Sequence, residues 1–124
     1  MAHGQLTHIE IPADDLARAR RFYSELLGWE ISDMPEYANY PLFSFGEIKS
    51  AGGAFGLRGK SVGEKLRVYF DVDSLDAVLP NVTKLGGKVL EPKTEIPGQG
   101  WYAVIDDTEG NQVALYQSMP RAAM

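Results

Sequence analysis

No cysteine occurs among the 124 residues of this chain. Without cysteine there is neither a disulfide framework nor a thiolate that could bind a metal or act as a nucleophile. Long apolar runs are also missing: none approaches the roughly 20 residues that a membrane-spanning helix needs, and the N-terminus shows no signal-peptide pattern. We therefore expect a cytoplasmic protein that has no membrane partner.

Basic charge is scarce as well. Lys and Arg together number 12 against 17 Asp and Glu, which gives a formal net charge of −5. A nucleic-acid surface needs a basic face to neutralise phosphates, so we expect no nucleic-acid partner. The glycine-rich segment 52–56 does not open a helix, so it does not indicate a phosphate or dinucleotide site.

The stretch Leu6–Trp29 organises the rest of the chain. Its first residues alternate in character, which is typical of a half-buried strand and places His8 and Glu10 on the same face. Pro12 has no backbone N–H to donate and is predicted to end this strand.

A helix is predicted directly after the strand. Asp14 offers a side-chain oxygen to the first free N–H groups, and Gly28 is a typical C-terminal stop. Apolar residues recur every three or four positions, which predicts that one face of this helix is buried. The residues of that face are Leu16, Ala19, Phe22, Tyr23, Leu26 and Leu27.

A weaker copy of the same unit follows at Leu66–Val89. A strand again leads into a helix, which Ser74 is predicted to cap. Because Pro80 lies inside this helix, we expect the helix to be bent or to begin late. Internal similarity at this spacing indicates one supersecondary unit used twice. Later in the copy, Trp101–Asp106 and Asn111–Gln117 are predicted to form a hairpin.

The whole pattern predicts an α+β fold. Two βαβββ modules would form a cupped, barrel-like mixed sheet with the helices on its outer face. A length of 124 residues suits a single domain. We expect module one at about residues 5–57, a polar linker at 58–64 and module two at about 65–118.

Two segments, together with the duplication, resemble the vicinal-oxygen-chelate superfamily of glyoxalases, bleomycin-resistance proteins and extradiol dioxygenases. The segments read HIEIPADDLARARRFYSELLGWEI and LGGKVLEPKTEIPGQGWYAVIDDTEGNQVALYQ. The second is similar to the branch of predicted enzymes related to lactoylglutathione lyase. The resemblance covers residues 5–118 and implies a cupped sheet that in the enzymes holds one divalent metal. Because the superfamily includes lyases, dioxygenases, epimerases, thiol transferases and drug binders, the resemblance does not define the reaction.

The resemblance also places the metal ligands, commonly His and Glu, on the first and last strands of the modules. His8 matches the first-strand position, whereas the equivalent residue of the second copy is Tyr69 and the last strand carries Ala114 where a carboxylate would stand. A divalent ion needs three or four nitrogen or oxygen ligands. We therefore predict a degenerate metal site, with His8 the only matching ligand, and no tightly held cofactor.

The candidate site residues follow from strand parity and the resemblance. His8 and Glu10 are the candidates for proton transfer, since an imidazole titrates near neutral pH and a carboxylate beside it could orient or charge it. A histidine that is only hydrogen-bonded inside a pocket is the alternative. The predicted ligand-binding residues are His8, Phe45, Phe55, Tyr69, Trp101, Tyr102, Ala114 and Tyr116. Core packing is the alternative for the aromatic residues.

The leading functional hypothesis is a glyoxalase-like protein that binds a small organic molecule in an aromatic-lined pocket without a tightly held metal. The alternative is a lyase or isomerase related to lactoylglutathione lyase, with His8 or Glu10 moving a proton and with or without a divalent metal. A third hypothesis is a sequestering module that closes against another chain. We also expect a homodimer, through open sheet edges or exchange of modules across residues 58–64.

Overall fold

The structure, a computed structural model, describes residues 3–45 and 48–120, with the backbone alone for residues 45 and 48–50. In chain order, its elements are β1 (Leu6–Ala13), α1 (Leu16–Leu27), β2 (Glu30–Ser32), β3 (Leu42–Phe45), β4 (Ile48–Leu57), β5 (Arg67–Asp71), α2 (Leu75–Lys84), β6 (Lys88–Ile96), β7 (Gly100–Asp106) and β8 (Gln112–Ser118). They separate into two compact units, of which the first spans Thr7–Val68. We call β1, α1 and β2 to β4 module one, and β5, α2 and β6 to β8 module two.

Each module contains one strand, one helix and three further strands, so the α+β class and the two predicted βαβββ modules are confirmed. The strands of module one lie in the order β2-β3-β4-β1, and those of module two in the order β5-β8-β7-β6. β1 pairs with β4 and β5 pairs with β8 in parallel, while the other pairs within each module are antiparallel. Both sets of strands are therefore mixed.

β1 is longer than the sequence predicted. Pro12 and Ala13 stay in register with Gly56 and Leu57 of β4, so the prediction that Pro12 ends the strand is wrong. Only one paired residue, Ala13, follows Pro12 in β1, so the backbone N–H that Pro12 lacks falls at the end of the ladder of hydrogen bonds.

The ends of α1 are set by side-chain and backbone capping. The N-cap is Asp15, whose carboxylate accepts a hydrogen bond from the Arg18 backbone N–H at 3.0 Å. Asp14, the predicted cap, instead accepts a hydrogen bond from Arg58 Nε at 3.1 Å. Gly28 ends the helix at a φ of 73°, as predicted, because this left-handed backbone suits glycine.

An aromatic cluster joins α1 to the strands of module one. Its rings lie with neighbouring centroids 4.4 to 5.3 Å apart. A Cβ added at Gly53 would collide with the Phe43 ring and the Ile9 carbonyl oxygen, so this glycine allows close packing here. The members of the cluster are Tyr23, Trp29, Phe43 and Phe55.

The predicted buried face of α1 is wrong in part. Tyr23 packs into the aromatic cluster, but Phe22 is 58 % exposed, Leu26 63 % and Leu27 53 %. No residue of α1 is fully buried. Tyr23 faces the strands, and Leu16 and Ala19 are half-buried, so only Phe22, Leu26 and Leu27 of the predicted face are exposed.

α2 is covered much more completely. Ser74 caps it as predicted, accepting a hydrogen bond from the Ala77 backbone N–H at 3.2 Å. The helix begins directly after this cap and continues through Pro80, so the expected late start does not occur. Leu75 is fully buried in a core cluster with Val72, Ala103 and Leu115, and this burial offsets the backbone hydrogen bond that Pro80 removes.

The predicted C-terminal hairpin is confirmed, because β7 and β8 form a continuous antiparallel ladder. Asp107 orders its turn by accepting hydrogen bonds from the backbone N–H groups of Glu109 and Asn111 at 2.8 and 2.9 Å. β6 runs from Lys88 to Ile96 and so continues past Pro92. Two register shifts along β6 interrupt the ladder near Pro92, which lets the strand continue past the proline.

Candidate functional site

Three side chains of module one form a continuous chain of hydrogen bonds. β1 carries His8 and Glu10, and Tyr40 approaches both from the loop before β3. His8 Nε2 lies 2.8 Å from Tyr40 Oη, and Tyr40 Oη donates a hydrogen bond to Glu10 Oε2 at 2.7 Å. Glu10 is buried, whereas His8 and Tyr40 are half-buried. We call this arrangement the Glu10–Tyr40–His8 chain.

The direction of these hydrogen bonds follows from counting protons. The single hydroxyl proton of Tyr40 goes to the Glu10 carboxylate, which can only accept. Tyr40 Oη must then accept the other hydrogen bond, so His8 Nε2 carries the proton. In a neutral imidazole one ring nitrogen is protonated and the other is basic. The Glu10–Tyr40–His8 chain therefore selects the tautomer of His8 in which Nδ1 is the basic nitrogen.

Burial and charge act on His8 in opposite directions. Burial lowers the pKa of His8 below its ordinary value of 6.5, because desolvation disfavours the imidazolium. The negative charge of Glu10 raises the same pKa, but this effect is the smaller of the two. His8 is therefore a neutral imidazole at pH 7, with a carboxylate near enough to stabilise a proton once one arrives.

Small residues lie next to the Glu10–Tyr40–His8 chain, on the face of the strands that carries His8 and Glu10. Paired residues of adjacent strands share a face, which places Gly52 of β4 beside His8 and Ala54 beside Glu10. On β3, Ser44 pairs with Gly52 and continues this face. Backbone and small side chains thus flank the imidazole on the β4 side of β1.

Four of the predicted ligand-binding residues lie together in module two. Tyr69, Ala114 and Val104 form a buried cluster, against which Tyr102 and Tyr116 pack. The register of β5, β8 and β7 places all five on the face opposite to Phe70, Leu115 and Ala103, which pack with α2. The prediction that these positions share a face agrees with the register, and their contact with a ligand stays a prediction.

The polar atoms of this tyrosine face already have partners. Tyr116 Oη donates a hydrogen bond to the Gln99 carbonyl oxygen at 2.9 Å, and Tyr102 Oη lies 3.5 Å from Glu91 Oε1. Asp71, in register with Tyr116, is buried, and this burial raises the pKa of its carboxyl group with a further contribution from Asp73. Module two thus places tyrosines and a buried acid where module one places the Glu10–Tyr40–His8 chain.

Two predicted ligand-binding residues lie on the helix side instead. Phe55 is fully buried and packs against Tyr23 and Phe43 in the cluster beneath α1. Trp101 packs against the α2 core, with Lys93 Nζ 4.9 Å from its ring centroid. This packing supports the alternative of core residues for both. The side chain of Phe45 lies outside the described residues.

The donors that the structure describes do not assemble into the ligand set of a divalent-metal centre. Glu10 is engaged with Tyr40, and Ala114 is fully buried with Val104 at the position where the resemblance places a carboxylate. Within residues 3–45 and 48–120, no three side chains of His, Asp or Glu converge so that they could hold a metal ion. A divalent ion needs three or four such ligands.

Sequence reasoning missed Tyr40. Tyr37 and Tyr40 lie between Pro35 and Pro41 in the loop between β2 and β3, and this pattern does not indicate which strand residues they contact. Strand parity relates residues of one strand and gives no information about a loop residue that is 30 positions from Glu10 and 32 from His8. The spacing of Glu10 and His8 was a usable signal, since two polar residues on one face of a half-buried strand require partners.

Two βαβββ modules with a histidine on the first strand are the arrangement expected for the glyoxalase-like class of proteins. Residues 5–46 match the family model described as bleomycin resistance protein-like N-terminal. A glyoxylase-like domain-containing protein of Didymella fabae is 35% identical over 120 residues, which are 91% of this chain and 93% of that protein. The chain therefore belongs to the glyoxalase-like family, as the resemblance implied.

Other relatives support the superfamily. A longer protein of Mycobacterium tuberculosis, provisionally named glyoxylase CFP32, is 28% identical over 115 residues, and the aligned region is 89% of this chain and 44% of that protein. Methylmalonyl-CoA epimerase from Mycobacterium tuberculosis has a similar fold, with a TM-score of 0.69, 19% identity and coverage of 94% of this chain and 89% of that one.

A glyoxalase/bleomycin resistance protein/dioxygenase superfamily member from Vibrio splendidus 12B01 has a TM-score of 0.63 and 10% identity over 94% of this chain and 99% of that one. These structural likenesses concern the fold alone. The finer assignment to the lactoylglutathione-lyase-related branch stays a prediction. No helix in the described part of the chain is long and apolar enough to cross a membrane.

Proposed function

We propose that this protein binds a small organic molecule at His8 and does so without a tightly held metal. The observation that carries the proposal is the Glu10–Tyr40–His8 chain, in which a buried carboxylate fixes an imidazole through one tyrosine hydroxyl. Ligand sites commonly combine apolar surroundings with a few fixed polar groups that orient the ligand. In this protein the fixed polar group is a neutral imidazole.

The charge of the site narrows the class of ligand. Glu10 is negative, and His8 is uncharged at pH 7 because burial lowers its pKa. A neutral molecule with adjacent oxygen atoms, such as a diol or an α-hydroxy carbonyl compound, avoids repulsion by Glu10 and can bind the imidazole by a hydrogen bond. A strongly anionic ligand would meet an unfavourable charge at this position.

Binding can be tested with catechol as the probe, since it is neutral and carries vicinal oxygens. Chemical-shift changes of the His8 ring and a rise in melting temperature on addition of catechol are expected for the wild type, and His8→Ala should abolish the rise in melting temperature. Tyr37→Phe, in the same loop as Tyr40, is the matched control and should bind as the wild type does. Catechol binding that survives His8→Ala would contradict the proposed site.

The absence of a tight metal can be tested separately by elemental analysis of protein purified without a chelator. Metal content well below one ion per chain is expected. Stoichiometric nickel, zinc, iron or manganese that disappears in His8→Ala would overturn this part of the proposal.

A second candidate function is proton transfer by a lyase or isomerase of the glyoxalase type. The observation that favours it is the length of both hydrogen bonds, 2.8 and 2.7 Å, which suits a proton relay. A substrate C–H or O–H proton would pass to His8 Nδ1, while the Nε2 proton moves to Tyr40 Oη and the hydroxyl proton moves to Glu10. The substrate is left as the anion, and Glu10 holds the proton until the reverse sequence returns it to a different atom.

The test for turnover uses the hemithioacetal of methylglyoxal and glutathione. If His8 is the base, His8→Ala should abolish isomerisation, and Tyr40→Phe should lower kcat by about 10² to 10⁴-fold, the usual range of acid–base contributions. Tyr37→Phe should retain the wild-type kcat. Binding without turnover would leave the first proposal and remove the second.

A further inference from the structure

The surface above Gly52 is accessible beside the imidazole of His8. Gly52 pairs with His8 and is half-buried, whereas residues 53–56, which follow it in β4, are buried. Ala54, which pairs with Glu10, has no exposed surface at all. The surface beside His8 is therefore open, while the surface beside Glu10 is covered. We call the space above Gly52, between β1 and β3, the Gly52 opening.

The backbone of the neighbouring strand requires glycine at this position. A Cβ atom added to Gly52 would lie 2.7 Å from the Phe43 carbonyl oxygen. This oxygen belongs to the paired strand β3, so it cannot turn away as the end of a flexible side chain could. A larger residue at position 52 would force β3 and β4 to shift, and its side chain would fill the space beside His8. The Gly52 opening is therefore built into the pairing of the strands.

Ser44 lies across the Gly52 opening from His8. It pairs with Gly52 from the β3 side, so the three residues follow one another across the strands on one face. Ser44 is half-buried, and its hydroxyl has no hydrogen-bond partner within residues 3–45 and 48–120. Every buried side-chain nitrogen or oxygen in that part of the chain has a partner, so the Ser44 hydroxyl is open to solvent. A ligand oxygen can replace the water that binds it in the free protein.

The spacing of the strands suits a ligand that reaches both side chains. Neighbouring strands lie about 4.8 Å apart, so the Cα atoms of His8 and Ser44, two strands apart, are separated by about 9.6 Å. A molecule with two adjacent oxygen atoms above Gly52 can reach both groups at once, each by a hydrogen bond of about 2.8 Å. The side chain missing at Gly52 leaves the room that such a molecule needs.

Charge on this face disfavours an anion. Glu30 of β2 pairs with Ser44 and so continues the same row, and Glu10 lies two residues from His8 on the same face of β1. His8 is neutral at pH 7 because burial lowers its pKa. A carboxylate or phosphate in the Gly52 opening would be repelled by both acids, whereas an uncharged molecule would not.

We propose that Ser44 is the second polar contact of the ligand at His8 and makes the site selective for neutral molecules with two adjacent oxygen atoms. Ser44 Oγ donates a hydrogen bond to one oxygen, and Nδ1 of His8 accepts a hydrogen bond from the hydroxyl group that carries the other. An α-hydroxy carbonyl compound fits best, because its carbonyl oxygen only accepts and its hydroxyl group donates. This inference rests on the proposed binding at His8 and adds the residue that binds the second oxygen.

Catechol and phenol test the selectivity, since they differ by the second oxygen alone. In NMR titrations the wild type should bind catechol about fivefold to tenfold more tightly than phenol, the usual effect of one hydrogen bond. Ser44→Ala should remove most of this preference, because it weakens the binding of catechol and leaves that of phenol unchanged. Ser44→Thr keeps a hydroxyl group and should keep the preference.

Ser32→Ala is the matched control. It removes a serine hydroxyl from the neighbouring strand β2, where Ser32 pairs with Leu42 and is exposed. This variant should prefer catechol over phenol as the wild type does. Circular dichroism of each variant checks that the fold is kept.

Contacts in the bound state give a second measurement that needs no variant. Nuclear Overhauser effects from the ring protons of catechol should reach the Cβ protons of Ser44 as well as the ring protons of His8. They should not reach the Cβ protons of Ser32.

The outcomes separate this inference from the proposed function. If wild type and Ser44→Ala preferred catechol equally, and His8→Ala still abolished binding, Ser44 would have no such role while the site at His8 would stand. Contacts of bound catechol with His8 but not with Ser44 would overturn the role of Ser44 in the same way. If the wild type bound neither catechol nor phenol, the proposed binding at His8 and this inference would both be wrong.

Discussion

The first strands of the two modules occupy equivalent places but carry different chemistry. β1 presents His8 and Glu10, which Tyr40 connects by hydrogen bonds, whereas β5 presents Tyr69 and Asp71 at the corresponding positions. Tyr69 is packed in a cluster with Ala114 and Val104. The duplication has thus kept the order of helices and strands in both modules, while β1 carries a histidine where β5 carries Tyr69.

The two helices also differ in how completely their apolar side chains are buried. α2 buries Leu75 completely in its core, while α1 buries none of its residues completely and leaves a large part of its apolar surface exposed. Module two is therefore organised around its packed core, and module one around an aromatic cluster and a polar chain. This comparison can be tested through stability as well as through binding.

The largest expected effect is the loss of the α2 core. Leu75→Ala should lower the free energy of unfolding by about 2–5 kcal/mol, because it leaves a cavity in a fully buried site. Leu26→Ala, at a position that is 63 % exposed on α1, should change it by less than about 0.5 kcal/mol in the monomer. Urea unfolding of both variants at low protein concentration checks the difference. Equal losses would mean that the two helices are covered alike.

A smaller effect is expected in the Glu10–Tyr40–His8 chain. Tyr40→Phe removes the hydroxyl that donates to the buried Glu10 and should cost about 1–3 kcal/mol of unfolding free energy. Tyr37→Phe, from the same loop, should cost less. Urea unfolding at pH 7 compares the two variants. If Tyr40→Phe were as stable as the wild type, the hydroxyl would not be a required partner of Glu10.

The smallest effects concern pH, and the two modules should respond in opposite directions. Because burial lowers the pKa of His8, the unfolded chain binds a proton at His8 before the folded chain does as the pH falls below 6.5. Protonation of His8 therefore favours the unfolded chain and lowers the free energy of unfolding in acid. Because burial raises the pKa of Asp71, the folded chain keeps that proton longer as the pH rises above 3.8. Asp71 therefore makes the protein less stable as the pH rises through its raised pKa.

Urea unfolding as a function of pH separates these two contributions. His8→Gln should remove the first dependence and Asp71→Asn the second, each worth about 1.4 kcal/mol per unit of pKa shift. A pH dependence that neither variant alters would contradict both assignments.

Much of the fold could be predicted because local rules determine it. Gly28 ends α1 and Ser74 begins α2 as their residue types require, and the last two strands form the predicted hairpin. The helix cap was misplaced by one residue because Asp14 and Asp15 are equally suitable, and only the contact of Asp14 with Arg58 distinguishes them.

Tertiary packing decides what the sequence could not predict. The spacing of Phe22 and Leu26 is that of a buried face, yet the aromatic cluster around Tyr23 occupies the space between α1 and the strands. Likewise, parity grouped His8 with Glu10, but only the folded loop brings Tyr40 to both. Helix and strand periods describe single elements, and contacts between distant elements depend on the fold.

The tautomer and the pKa of the His8 ring decide whether the Glu10–Tyr40–His8 chain exists in solution. Nitrogen-detected NMR of the imidazole gives both its tautomer and its pKa. The Glu10–Tyr40–His8 chain requires a proton on Nε2 in the neutral form, and burial requires a pKa below 6.5, which Glu10→Gln should lower further because the negative charge that raises it is gone. A neutral ring protonated on Nδ1, or a pKa that Glu10→Gln leaves unchanged, would contradict this arrangement.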